Sequence, residues 1–178
     1  MELVVSVVSE VGDATVAVDG IETLFRAHYA RLVRALTLVA GNHEAAADAV
    51  QEAFVKAHLH WRRIERYDDP IGWVRRVAIN KLRDDHRRLG RKHKAEQRLH
   101  TELRPTGVEW SDGADAATLL AGLPRQQRLA VALFYVEGLS VAEVATTLGI
   151  SEGAVKFHMH QGRERLRGIV SARQEQQR

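Results

Sequence analysis

The stretch LSVAEVATTLGISEGAVKFHMHQGRERL, residues 139 to 166, reads as two short helices meeting across a tight turn. Ser140-Val141-Ala142-Glu143 has the spacing of a capping box, in which the Ser140 hydroxyl accepts from the Glu143 amide while the Glu143 carboxylate reaches back to the amide of Ser140. Val144 and Leu148 fall on the buried side of the first helix. Gly149 ends it with a residue that tolerates positive φ, Ile150 packs at the corner, and Ser151 can cap the second helix. Ala145, Gly149 and Val155 supply the small crossing residue, the permissive turn and the returning apolar contact that such a corner needs. On the second helix Val155, Met159, Gly162 and Leu166 recur at inward-facing positions, so Phe157, His160, Gln161 and Glu164 point out. Lys156 and Arg163 run along one rim, His158 and Arg165 along the other. A polar centre with cationic rims suits a helix lying in a major groove, where base edges are read centrally and phosphates are held at the margins. An ordinary corner between packed helices is the bland alternative, and the capping box combined with the Ala-Gly-Val spacing weighs against it.

Working outward, apolar residues recur at helical spacing nearly everywhere, and no alternating β-branched run follows Val18. The expected fold class is all-α: two small helical domains joined by a flexible linker. A first helix is expected over about 21 to 40, with Phe25, His28, Leu32, Leu36 and Val39 on one stripe and a break at Gly41-Asn42. Asn42 can cap a second helix, about 43 to 60, that buries Ala47, Val50, Phe54 and Ala57 and reaches Trp61; Asp48, Gln51 and Glu52 lie off that stripe. Asp69-Pro70 caps and starts another helix, running to about Leu89. Its apolar stripe of Ile71, Val74, Ala78, Leu82 and Leu89 leaves Trp73, Arg76, Asn80, Arg83, Asp84 and Arg87 together on the opposite face, an aromatic among cations. Periodicity fades from Gly90 to Thr118, and Pro105-Thr106-Gly107 reads as a turn. Residues 119 to 123 close one helix, and Pro124 opens another that buries Leu129, Leu133 and Val136 before Glu137-Gly138. The resulting domains are 1–20, an apolar extension without a pattern or an assigned role; 21–90, helical; 91–118, linker; 119–170, the helix-turn-helix domain; and 171–178, a tail.

A chain of 178 residues is one large domain or two small ones at about 150 residues per domain. With 45% apolar and 28% charged residues it has the composition of an ordinary soluble globular protein. The absence of cysteine excludes disulfide scaffolds and thiol catalysis. No apolar run approaches the ~20 residues that span a bilayer, and residues 1 to 20 carry four acidic and no basic side chains, unlike a secretory leader. A cytoplasmic location is therefore expected. Residues 61 to 100 hold 13 basic against 6 acidic side chains, whereas residues 1 to 60 hold 4 against 8, so the basicity is one block. Such a block is either a solvated helix face or the footprint of a polyanionic partner.

Two segments, FRAHYARLVRALTLVAGNHEAAADAVQEAFVKAHLHW with PIGWVRRVAINKLRDDHRR, and LPRQQRLAVALFYVEGLSVAEVATTLGISEGAVKFHMHQGRERLR, together resemble bacterial sigma-70 family sigma factors of the extracytoplasmic-function (ECF) type. The resemblance implies a region 2 domain that binds core RNA polymerase and melts the minus-ten promoter element, a tether, and a region 4 domain that reads the minus-thirty-five element. By position the core polymerase-binding residues would be Asp48, Gln51 and Glu52. Contacts to minus-ten DNA would come from Trp73, Arg76, Asn80, Arg83, Asp84 and Arg87, with the loop 65–70 resembling the element that captures a flipped base. Contacts to minus-thirty-five DNA would come from Ser151, Lys156, Phe157, His158, His160, Gln161 and Arg163. His158 and Gln161 stand where relatives commonly carry Arg. Promoter DNA and core polymerase are the implied partners, and the resemblance leaves an anti-sigma factor open as a third. Spacing alone favours a solvated face for Asp48 and Glu52, and half-buried packing stays open as the competing reading of Trp73.

Two other classes compete. A transcriptional regulator of the response-regulator output type carries a similar helix-turn-helix, but it should also bring an α/β receiver or ligand domain, and residues 21 to 90 read as helical. A small helical metal-dependent hydrolase would use some of the nine histidines. His58 and His60, like His158 and His160, are two apart and so point about 200° away from each other on a helix, which does not chelate one metal. No enzyme activity, cofactor, metal site or membrane partner is expected.

Overall fold

The computed structural model describes residues 3–96 and 114–176, with side chains described over 20–88 and 116–175. Eight helices and no strand occur among the described residues: α1 (Leu3–Ala40), α2 (His43–Leu59), α3 (Trp61–Ile64), α4 (Pro70–Glu96), α5 (Ala114–Ala121), α6 (Arg125–Tyr135), α7 (Val141–Leu148) and α8 (Glu152–Gln176). No described helix is long and apolar enough to cross a membrane. The expected linker lies for the most part outside the described residues, as do the ends of the chain and the Leu89 side chain.

Local signals explain most boundaries. Asn42 Oδ1 accepts from the Ala45 amide at 3.0 Å and starts α2. Asp69 Oδ1 takes the Gly72 amide at 2.8 Å, so Pro70 stands in the first turn, where its missing N–H is harmless. The capping box at α7 is complete, with the Glu143 amide on Ser140 Oγ and the Ser140 amide on Glu143 Oε2. Gly149 closes α7 at φ 68°, in the left-handed region where a side chain is strained. Four boundaries differ from expectation: α5 begins at Ala114, inside the expected linker, α8 continues to Gln176 through most of the expected tail, and two helices of the N-terminal half are longer than expected. The first helix starts at Leu3 rather than near Ile21, because nothing in residues 3 to 20 breaks a helix already propagating from downstream. The helix after Pro70 likewise runs past Leu89 to Glu96.

The buried stripes are largely those expected: Leu32, Leu36 and Val39 on α1, Val50, Phe54 and Ala57 on α2, and Ile71, Val74, Ala78 and Leu82 on α4. Phe25, expected in the stripe, is 38% exposed and lies over Tyr29, its ring centroid 4.5 Å away, and edge-on to Phe54 at 5.0 Å. It caps the end of the core as part of an aromatic cluster. Ala47 and Val136 are half-buried rather than buried. Trp61 packs against Gly20, where an added Cβ would stand 3.0 Å from the indole, so that α1 and α3 approach through a glycine.

The two groups of helices share one core. Leu129, Ala130, Ala132, Leu133, Leu139, Val144 and Ala145 of the C-terminal helices join the buried residues of α1, α2 and α4 in a continuous apolar cluster. A satellite cluster of Leu120, Leu123 and Val131 takes in Leu38 of α1 and Leu166 of α8. Arg128 crosses the same seam, donating from Nη1 to the Val39 carbonyl at 2.9 Å and from Nη2 to the carbonyls of Ala121 and Leu123 at 3.0 Å each.

Candidate protein and nucleic-acid interfaces

On α2 the residues that pack inward leave one face open. Asp48 and Gln51 are exposed there, and Glu52 is partly exposed. Glu52 receives Lys56 Nζ at 2.8 Å and Lys81 Nζ of α4 at 2.9 Å. These two ammonium groups hold the Glu52 carboxyl below the usual range, and Glu52 in turn raises the Lys81 pKa. A groove of about 710 Å³ between α2 and α4 is lined by Asp48, Gln51, Glu52, Val55, Lys81 and Asp85, together with Ala45 and Arg88. Sequence reasoning missed the apolar half of this face: Val55 is 51% exposed and Leu59 70% exposed. Their positions, seven and eleven residues after Asp48, return to the same side of a helix, and that was the available signal. An exposed helix face mixing carboxylate, amide and aliphatic groups is suited to a protein partner.

On α4 the structure brings the second expected set onto one side. Asn80, Arg83, Asp84 and Arg87 are exposed, while Trp73 and Arg76 are half-buried. Part of the Trp73 indole is spent on the core, against which it packs. The first turn of α6 lies within Coulombic reach of this face. Burial first, then Arg83, Arg87 and Arg128, lower the Arg125 pKa, and Asp84 opposes them.

On the helix-turn-helix, Ser151 Oγ accepts from the Ala154 amide at 3.1 Å and so starts α8. Val155 and Met159 are buried against α7, and Gly162 lets α8 cross α6 closely: a Cβ there would meet Val131 Cγ2 at 3.0 Å. Lys156, Phe157, His160, Arg163, Glu164 and Arg165 are exposed, as expected. Phe157 presents 59% of its surface to solvent. Gln161 departs from the outward set and is half-buried. His158 is half-buried too, with an enclosed Nδ1 that has no hydrogen-bond partner. Its position is one helical step from the inward row of Val155, Met159 and Gly162, so the ring leans toward the helix packing rather than standing clear on the rim.

Among the described residues, the two most buried charged side chains are ones that sequence reasoning did not single out. Arg75 of α4 and Glu137, after α6, have side chains 5% and 1% exposed, and Arg75 Nε donates to Glu137 Oε1 at 3.2 Å. Arg75 Nη1 also lies 3.8 Å from Asp69 Oδ2. Burial pushes the Glu137 carboxyl up, against the pull of Arg75. His28 of α1 faces the same cluster. Its pKa is lowered, first by burial and then by Arg75 and Arg31. Among the described residues no group of three or more His, Asp or Glu is placed to hold a metal ion.

Comparison with known proteins matches residues 24–92 to the family description "Sigma-70 region 2" and residues 114–166 to "Sigma-70, region 4". The chain is 34% identical over 152 residues to the ECF RNA polymerase sigma factor SigM of Mycobacterium tuberculosis, an alignment covering 84% of this chain and 76% of SigM. It is 30% identical over 167 residues to the ECF RNA polymerase sigma factor SigE of Mycolicibacterium smegmatis, covering 84% of this chain but spanning only 61% of SigE. Among solved structures, the sigma factor RpoE in complex with the anti-sigma factor NepR from Bartonella quintana superposes with a TM-score of 0.71 at 22% identity, over 84% of this chain and 96% of that one.

Proposed function

The chain belongs to the ECF sigma factors of the sigma-70 family, and from that premise we propose how its surfaces divide the work of directing RNA polymerase to a promoter. The face of α2 that carries Asp48, Gln51 and Glu52 docks on core RNA polymerase, with Val55 and Leu59 completing the contact. The Trp73, Arg76, Asn80, Arg83, Asp84, Arg87 face of α4 receives the melted minus-ten strand, for which an aromatic offers stacking and the arginines neutralise phosphates. The exposed side of α8, with Ser151 at its start and Lys156, Phe157, His160 and Arg163 along it, enters the major groove of the minus-thirty-five element, while His158 and Gln161 adjoin that face more peripherally. The protein acts as an initiation factor in the cytoplasm and performs no chemistry of its own. The observation that carries this reading is the segregation of exposed polar residues onto one face each of α2, α4 and α8, while the opposite faces of all three helices form the core.

Run-off transcription with core polymerase on genomic fragments tests it. The wild-type chain should yield discrete transcripts whose start sites share a minus-ten and a minus-thirty-five element. Asp48→Arg should weaken competition for core polymerase while leaving the fold intact, because a cation at an interface arranged for anions is repelled. Asn80→Ala should assemble holoenzyme normally but open the promoter poorly. Competition by Asp48→Arg equal to wild type, or permanganate footprints of Asn80→Ala that match wild type, would remove the corresponding assignment.

A further inference from the structure

Two polar rows run along α4, and only one of them belongs to the side given above to promoter DNA. Asn80, Arg83, Asp84 and Arg87 make up that side. Lys81, Asp85 and Arg88, spaced four and three residues apart, form a second row about 100° around the helix. This second row lines the groove shared with α2. Lys81 Nζ reaches across the groove to Glu52 Oε2 at 2.9 Å and along its own helix to Asp85 Oδ1 at 3.5 Å. The other Glu52 oxygen is held by Lys56 at 2.8 Å. Both oxygens of Glu52 are thus spent inside the chain, which makes this carboxylate a strut between the helices. Asp48, by contrast, is exposed and makes no ion pair with the described residues.

From the Glu52–Lys81 bridge, one turn toward the start of α2 reaches Asp48 and one turn toward the end of α4 reaches Asp85. Both line the same groove, so the helices run antiparallel there and each wall carries a carboxylate. Ion pairs as open to water as these, with side chains 33% to 39% exposed, contribute little to stability. What the network does is hold the two walls and their charges in place. Phosphates do not suit the groove, because they would meet Asp48, Glu52 and Asp85. A partner that brings a cation to the two aspartates does suit it, and Val55, 51% exposed in the same lining, offers that partner an apolar contact. The α2 wall runs from Ala45 to Val55, about 15 Å at 1.5 Å per residue, which is the length of three turns of a helix laid along it.

We propose that the polymerase-docking site has two walls, the second formed by Lys81 and Asp85 of α4, and that the groove receives a helical segment of core polymerase whose cation lies between Asp48 and Asp85. The inference rests on the assignment of α2 to polymerase made above and extends it to a helix otherwise given to DNA. Asp85 touches the partner. Lys81 is a positioning residue: by tying Glu52 to Asp85 it fixes the spacing of the walls before the partner arrives, so less ordering remains to be done on binding.

Run-off transcription with the full chain titrated into fixed core polymerase separates docking from promoter opening. A docking defect raises the half-saturating concentration and leaves the plateau unchanged, whereas an opening defect such as that expected of Asn80→Ala lowers the plateau. Asp85→Asn should raise half-saturation about tenfold at low salt, and the difference from wild type should shrink as salt screens the charges. Lys81→Met should raise it similarly, and Lys81→Arg, which keeps a cation able to bridge two carboxylates, should restore it. All three substitutions fall on partly exposed side chains, and far-UV circular dichroism should show each variant as helical as the wild type. An unchanged half-saturation in Asp85→Asn, or a lowered plateau without a shift in half-saturation, overturns the second wall. A Lys81→Met defect that Lys81→Arg fails to restore overturns the positioning role. Asp48→Arg tells the two readings apart: if it competes for core polymerase like wild type, the assignment of α2 itself fails, and if it is impaired while Asp85→Asn is not, only the second wall fails. Self-association of the wild-type chain in sedimentation that Asp85→Asn abolishes would give the groove to a second copy and overturn the polymerase assignment.

Discussion

Phe157 poses a residue-scale question, because a ring 59% open to water in the middle of a polar helix face has a cost that something must offset. Gly153, one turn earlier, leaves open space beside it: a Cβ there would meet nothing closer than Ser151 Oγ at 3.8 Å. In a major groove the one apolar feature a base pair offers is the thymine methyl. We therefore expect the selected minus-thirty-five element to contain a thymine whose replacement by deoxyuridine weakens wild-type binding. Phe157→Ala should lose about 1–2 kcal/mol of binding, part of the value of a fully buried Phe, and should become indifferent to the deoxyuridine swap. Titration of both proteins against both duplexes reads this directly, and an equal response to the swap in the two proteins would show that Phe157 does not touch the methyl. His158 makes the converse point: its enclosed Nδ1 makes it part of the helix packing as well as a rim residue.

Among the elements, α7 owes its existence to its cap. Eight residues are too few for an isolated helix, and the Ser140–Glu143 box satisfies orphan amides that would otherwise be exposed at its start. Ser140→Ala should destabilise the chain by about 1 kcal/mol, as loss of such a cap does elsewhere. The Ser140 hydroxyl and amide hold the Glu143 carboxyl below its usual pKa, so the folded value lies under the unfolded one. A depressed carboxylate stabilises above its unfolded pKa, about 4.5, and that contribution is lost as pH falls through the folded value. The stability gap between wild type and Glu143→Gln in urea titrations should therefore be full at pH 6 and shrink below pH 4.5. A gap constant down to pH 3 would show that the charge on Glu143 contributes nothing to the cap.

For the whole molecule, the continuous core from α1 through α7 has a thermodynamic consequence. Two domains joined only by a tether unfold independently; two that share buried apolar surface unfold together. Heating the free chain should give one transition by circular dichroism and calorimetry, with van't Hoff and calorimetric enthalpies equal. Glu137→Lys should split it in two as region 4 comes away. Two transitions in the wild type would mean that the seam contributes no coupling.

Local patterns were enough to read the helices, the segregated faces and the helix-turn-helix. The 3.6-residue period sorts Val74 from Trp73 and Val155 from Phe157 without any tertiary information, and Asn42, Asp69, Ser140, Gly149 and Ser151 mark ends by chemistry that acts within four residues. The family resemblance is what suggests polymerase docking for Asp48, Gln51 and Glu52; spacing alone does not. Tertiary structure decided what depends on residues distant in sequence. Glu137 read as the polar end of a helix, and Arg75 as one cation of a basic block; only the docking of region 4 on region 2 brings them, 62 positions apart, to 3.2 Å and removes both from water. A helical period says which side of a helix is buried, but it cannot say whether the covering surface belongs to the same domain or to the other one, and that choice turns two tethered domains into one closed molecule.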